Sequence, residues 1–104
     1  MSDMTISPEI IKIADNYGVH NQMNKLLEEL DELKSPVISA YLDLITSPDI
    51  VTPDVLENLI DEMADVTIMI EQVAYLLNIT GDVEQRRTFK IDRQLGRMAQ
   101  EGKQ

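Results

Sequence analysis

Two pairs of carboxylates hold the chemistry of greatest interest in this chain. Glu29 and Glu32 lie three residues apart in "LLEELDEL", residues 26–33, and Glu62 and Asp65 repeat the spacing in "IDEMADV", residues 60–66. On a helix, like charges so spaced share a face and repel by about 0.2–0.5 kcal/mol per pair. Two readings compete. One is a solvated acidic rim beside an apolar stripe, the ordinary use of flanking charge on an amphipathic helix. The other is a four-carboxylate cage whose oxygens bind a hard divalent cation such as Mg2+.

The elements that must position these acids are helices. Helix formers dominate, and four Gly and four Pro are too few for a turn-rich β protein, so the expected class is all-α. Ser7-Pro8-Glu9 has a capping hydroxyl, a proline at the first turn and an acid near the positive helix end, which predicts a first helix from there to about Asn16. Gly18 is its stop signal. A second helix is predicted from about Val19 to Lys34, with Val19, Met23, Leu26, Leu27, Leu30 and Leu33 as its apolar stripe and Ser35-Pro36 as its end or kink. Residues 37–45 are expected to form a short separate helix. Thr52-Pro53-Asp54 repeats the start signal, and a third helix, the longest, is predicted to run to about Asn78. Thr80-Gly81-Asp82 is read as a break before a fourth helix ending near Gln100. No internal repeat or linker is visible. The expected architecture is a single domain over residues 1–104, a four-helix, bundle-like protomer.

Position on the third helix favours the cage. Its main apolar stripe is Leu56, Leu59, Ile60, Met63, Val66, Ile70, Val73 and Leu77. Glu62 and Asp65 lie off that stripe, on a line that continues through Met69 and Leu76. A line facing water should stay polar, and this one does not. A helix apolar nearly all round is buried nearly all round. Ile68, Met69 and Leu76 are therefore expected in a subunit interface, and the two acids where water is scarce. Carboxylates so placed need a cation or a proton. Other acidic sites fit less well. A di-iron bundle wants Glu-x-x-His, and the single histidine, His20, has no glutamate three residues before it; its place near a helix start makes it a surface or interface residue. There is no calcium-loop pattern and no glycine-rich phosphate loop.

Composition narrows the classes further. With no cysteine there are no disulfides and no thiolate ligands or nucleophiles. No apolar run approaches the roughly 20 residues of a membrane span, and the first residues lack a basic-then-apolar signal pattern, so a cytoplasmic protein without membrane contact is expected. The net charge of −10 argues against nucleic acid as a partner. Six of the nine basic residues, Arg86, Arg87, Lys90, Arg93, Arg97 and Lys103, fall in the last fifth of the chain. Arg86, Lys90, Arg93 and Arg97 share one helical face, with Ile91, Leu95 and Met98 expected to face the core opposite. That face is either a solvated counterweight or a binder of polyphosphate, with metal and basic side chains dividing the phosphate oxygens between them.

At this point the residues resemble a known family. "KLLEELDEL" followed by "LIDEMADVTIMI" is similar to the MazG-like, all-α nucleoside triphosphate pyrophosphohydrolases, whose pattern is Glu-x-x-Glu, a variable spacer, then Glu-x-x-Asp. Gln22, Lys25 and Glu28 match the family's lead-in. Lys90-x-x-x-Gln94-x-x-Arg97 stands where the family often has Lys-x-x-x-Asn-x-x-Arg, so Gln94 is a departure. The 29 residues between Glu32 and Glu62 are at or slightly beyond the long end of the usual spacer. The likeness covers about residues 10 to 98. It implies Mg2+-dependent cleavage between the α- and β-phosphates, giving a nucleoside monophosphate and pyrophosphate, with Mn2+ as a possible substitute. It implies that Glu29, Glu32, Glu62 and Asp65 are the metal ligands and catalytic acids. Lys25, Glu28, Lys90, Arg93, Gln94 and Arg97 would contact the substrate, and the protein would be a homodimer or homotetramer with sites near subunit contacts. Short members of this kind occur in bacteria and their phages, where such enzymes clean the nucleotide pool. The competing reading is a non-catalytic acidic helical protein of the same fold that binds a basic partner. Pyrophosphate release separates the two.

Overall fold

The computed structural model describes residues 6–102; Lys103, counted above with the basic cluster, lies outside them. Among the described residues the chain is all-helical: α1 Pro8–Tyr17, α2 Val19–Thr46, α3 Pro53–Leu76 and α4 Thr80–Gly102. The Ser7 hydroxyl caps α1 by accepting from the Ile10 N–H at 3.2 Å, as the start signal predicts. Gly18, at φ 85°, makes the sharp exit from α1 that a side chain would resist. At the other predicted start, Thr52 does not cap α3. Its hydroxyl and its N–H both donate to the Asp43 carboxylate, pinning the end of α2 to the start of α3. These bonds to the charged form hold the Asp43 carboxyl below its ordinary range.

Three sequence expectations are corrected here. Helix two does not stop at Ser35-Pro36; α2 runs 28 residues to Thr46 with Pro36 inside it, and is the longest element in place of the third helix. An interior proline costs about 3 kcal/mol, yet Pro36 is buried together with Glu29 before it and Ala40 after it, so packing on either side of the proline keeps the rod continuous. Second, the break before α4 is not at Thr80-Gly81-Asp82. It falls at residues 77–79, where Asn78 takes a left-handed φ of 59° and α4 has already begun by Thr80. Third, α4 does not complete a common core. It packs against α3 alone and has no buried residue. Ile91, Leu95 and Met98 are exposed. The Cα radius of gyration of 17.3 Å exceeds the about 13 Å of a compact chain this long.

α2 and α3 form an antiparallel hairpin: Gln22 bonds Gln72 at one end, Asp43 bonds Thr52 at the other, and Glu32 and Glu62 line one cleft between. The line of α2 that faces α3 is Gln22, Leu26, Glu29, Leu33, Pro36 and Ala40, buried or half-buried at heptad spacing. The predicted stripe is largely elsewhere. Met23, Leu27, Leu30, Val37 and Tyr41 on α2 are exposed, as are Leu56, Ile60, Met63, Ile70 and Leu77 on α3. Each exposed set sits about 100° round its helix from the contact line, in the same rotational sense. For antiparallel helices equal rotation in one sense leads to the same side. The exposed apolar residues of α2 and α3 therefore lie on one side of the hairpin. Of the three residues expected at an interface, Met69 is instead buried inside the protomer, where its sulfur accepts from the Gln72 amide at 3.6 Å. Leu76 is half-buried and Ile68 exposed.

Candidate metal centre

Glu29 and Glu32 come from adjacent turns of α2, and Glu62 comes from α3 across the seam. One carboxylate oxygen of each lies within 4.8 Å of the others. Their surroundings differ. Glu29 is only 6% exposed, Glu62 is half-buried and Glu32 faces solvent. Glu29 reaches this depth because it occupies the contact line of α2, where the heptad spacing puts a side chain regardless of its charge. Its Oε2 receives the Lys25 ammonium at 3.4 Å, and Lys25 also lies 3.6 Å from Glu28. Among the described residues Glu29 Oε1 and Glu62 Oε1 are buried with no hydrogen-bond partner. A buried carboxylate oxygen left without a donor is costly.

The electrostatics follow from this crowding. Contact with the Glu29 carboxylate, then its negative charge, pushes the Glu32 carboxyl above its ordinary value. Desolvation, followed by the charges of Glu32, Glu29 and Asp65, pushes Glu62 up as well. Lys25 is raised, chiefly by its bond to Glu29. Both shifts favour the protonated form of Glu32 and of Glu62 over that of a free carboxyl.

A pH prediction follows. A carboxyl whose folded pKa is raised contributes stability that is complete below the unfolded value, 4.5 here, and is lost as pH rises through the folded value. The melting temperature of the metal-free protein is expected to fall as pH rises above 4.5 and passes through the raised values of Glu32 and Glu62. Added Mg2+ reverses the slope, because the ion takes the deprotonated form. Thermal scans across pH, with and without Mg2+, check this, and Glu62→Gln should flatten the metal-free slope. A slope identical in wild type and variant would remove Glu62 from the coupled cluster.

The remaining expected site residues divide. Asp65 is exposed, one turn beyond Glu62, and is not in the trio, although its charge acts on Glu62. Lys25 and Glu28 adjoin the trio directly. Lys90, Arg93, Gln94 and Arg97 do not: α4 makes no contact with α2, and Lys90 and Gln94 line a groove with Arg86 and Arg87 that contains no carboxylate. Arg93 stacks over the Phe89 ring on its own helix, 5.7 Å from the centroid.

Set against protein-family models, curated proteins and solved structures, the chain gives no match.

Two clefts flank the trio, and the sequence reading missed most of their walls. One of about 390 Å3 is lined by Glu32, Glu62, Ser35, Pro36, Ser39 and Asn58, with Val55. The other, about 570 Å3, lies toward α1 and includes Tyr17, Asn21, Gln22, Lys25, Met69 and Gln72. There Gln22 Nε2 donates to Gln72 Oε1 at 2.6 Å, and both amides are buried. Gln72 had a legible signal: it lies at helical spacing from Asp65 and Met69, a polar residue in a line turning apolar. Ser35 and Ser39 had none: Ser35 sits at the expected end of the second helix, and Ser39 in the segment expected to form a short separate helix.

Proposed function

We propose that this protein is a Mg2+-dependent nucleoside triphosphate pyrophosphohydrolase of the MazG-like kind, cleaving between the α- and β-phosphates to release a nucleoside monophosphate and pyrophosphate. The observation that carries the reading is the trio Glu29, Glu32 and Glu62, three carboxylates from two helices with oxygens within 4.8 Å and two of those side chains holding partnerless buried oxygens. Lys25 meets one oxygen of Glu29 and leaves the set short of positive charge, which fits a hard divalent cation bound through oxygen. Glu29, Glu32 and Glu62 would hold it, with Asp65 at the edge. When bound, Mg2+ supplies Lewis acidity and lowers the pKa of water; Mn2+ has the same ligand preference.

The chain's own residues account for the rest. A water molecule attacks phosphorus in the α–β anhydride, the bridging P–O bond breaks, and pyrophosphate leaves. A cluster carboxylate takes the proton of that water. Lys25 sits beside the trio and can exchange its Glu28 contact for a phosphate oxygen. More cationic charge must come from α4, which does not reach the trio of its own protomer. A second copy would supply Lys90, Arg93 and Arg97, consistent with an arm that has no buried residue and a hairpin with an open apolar face.

The test is a screen of common and modified nucleoside triphosphates with Mg2+, reading pyrophosphate and monophosphate together. The expected result is equimolar release of both from at least one nucleotide, abolished by chelation and restored by Mg2+ or Mn2+. If no nucleotide is cleaved while Mg2+ still raises the melting temperature, the non-catalytic reading of the fold replaces this one.

A further inference from the structure

α3 and α4 carry opposite charge in the same pattern. On α3, Asp54, Glu57, Asp61 and Asp65 stand at i, i+3, i+7 and i+11; on α4, Arg86, Lys90, Arg93 and Arg97 stand at i, i+4, i+7 and i+11. At about 100° per residue each set keeps to one face of its helix, and all of these side chains are exposed. Each row is about 16.5 Å long at 1.5 Å per residue, and laid side by side the two keep in step to about 1.5 Å. Within each row, like charges three or four positions apart repel. Nothing on α3 offsets this, because the helix adds Glu62 and Glu71 and has no Lys or Arg. Among the described residues the ion pairs are those of Lys25 with Glu28 and Glu29, so neither row is paired with opposite charge within the protomer.

One protomer cannot bring its own rows together. α3 ends at Leu76 and α4 begins at Thr80, so an α4 folded back along its own α3 would set residues equidistant from Asn78 opposite one another. Arg86 would then face Ile70, about 7.5 Å along the helix from Asp65. Asp54 and Glu57 would face Gly102 and Ala99, past the last base of the row. A second copy is under no such constraint of register. The two surfaces also have room for it. α4 packs against α3 alone and buries no residue. On α3 the acidic row lies on the other side of the α2 contact line from exposed Leu56, Ile60 and Met63. A chain of net charge −10 repels nucleic acid, whereas another copy of it presents acids at the spacing the bases require.

We propose that α4 of one copy docks along the acidic row of α3 in a second copy, pairing Arg86, Lys90, Arg93 and Arg97 with Asp54, Glu57, Asp61 and Asp65. A single exposed ion pair contributes little; a row matched to a row fixes which surfaces meet and in what register. The docked arm lies beside Glu62, which follows Asp61 in the chain. Docking needs neither cation nor nucleotide, so it stands or falls apart from the activity proposed above.

The test uses the full chain without metal or nucleotide. Unlabelled and heavy-nitrogen copies are mixed and treated with a carbodiimide, which joins a lysine amine to a carboxylate it touches. Mass spectrometry should find Lys90 linked to Glu57 or Asp61 of the other isotope. Links confined to one isotope would show α4 folded on its own α3; those, or no links at all, overturn the proposal. Charge reversal supplies the second arm, read by analytical ultracentrifugation. One variant carries Lys90→Glu with Arg93→Glu, another Glu57→Lys with Asp61→Lys, and all four sites are exposed, so both should fold. Each alone sets like charges against each other and should associate about tenfold more weakly, or about 1.4 kcal/mol. An equimolar mixture of the two restores opposite charges at every contact and must recover wild-type association, as must a chain carrying all four changes. If either reversal alone leaves association unchanged, its row is merely solvated. If the mixture does not recover, the two rows do not meet and α4 serves another anionic partner. Either result overturns the proposal.

Discussion

Glu62→Gln is expected to lower Mg2+-dependent pyrophosphate release by at least about a hundredfold while leaving the metal-free protein as stable as wild type, or more so. The two halves have one cause. Glu62 is half-buried, has an oxygen without a partner, and sits among the charges of Glu32, Glu29 and Asp65. Near neutrality its negative charge therefore opposes folding, and an amide of the same shape relieves that repulsion. With cation and nucleotide present, the same charge is needed. Losing one carboxylate from a three-carboxylate set misplaces the ion, whose contribution to phosphoryl chemistry is worth several kcal/mol, and about 2.7 kcal/mol already corresponds to a hundredfold in rate. Asp65→Asn supplies the graded comparison. Asp65 is exposed and outside the trio, so its loss should cost markedly less than that of Glu62. Paired measurements of metal-free melting temperature and pyrophosphate release decide the matter. A Glu62→Gln protein that unfolds without metal would show the carboxylate to be structural. Equal losses in the two variants would bring Asp65 into the ligand set as a fourth member.

Ile60→Asp should convert an oligomer into monomers at micromolar concentration. Ile60 is 51% exposed, and on the same side of the hairpin Leu27 is 66% and Tyr41 65% exposed, with Leu30, Val37, Leu56 and Met63 completing the face. Exposed apolar residues gathered on one side of a hairpin are what an association surface needs. Two-fold symmetry would present the same face from both copies, so one substitution acts twice. Ile60 is 51% exposed, so burying the rest of it contributes about half of the 1.5–3 kcal/mol of a full burial in each copy, and the carboxylate introduced in each copy must also be desolvated. The combined loss, more than about 4 kcal/mol, weakens association by about a thousandfold or more. Analytical ultracentrifugation of wild type and variant checks this, with a dimer or larger species expected only for the wild type. If α4 of one copy supplies the basic side chains to the trio of another, the monomeric variant loses pyrophosphate release as well. A wild-type monomer at micromolar concentration would refute the interface and return α4 to a solvated arm.

The sequence by itself determined the helical class, the start of α1 at Ser7-Pro8, the start of α3 at Thr52-Pro53, and the two acidic pairs. These are local properties: the capping hydroxyl of Ser7, proline at a first turn, and residue types repeating every three or four positions act within a turn or two of chain. The tertiary structure decided the rest, for reasons that local pattern does not contain. Helical periodicity shows that α2 has an apolar stripe, but the face that meets α3 is the neighbouring line of Gln22, Glu29, Pro36 and Ala40, where short or hydrogen-bonding groups let two antiparallel helices approach. The richer stripe is left open, because a stripe has no information about which partner covers it. Pro36 reads locally as a stop, and only packing on both sides of it keeps α2 continuous. Whether Asp65 stands with Glu62 depends on where the α2 acids reach across the seam, and they reach Glu62. The direction of α4 hangs on the turn at Asn78, whose left-handed backbone sends the basic helix away from the carboxylates that spacing alone would have it face.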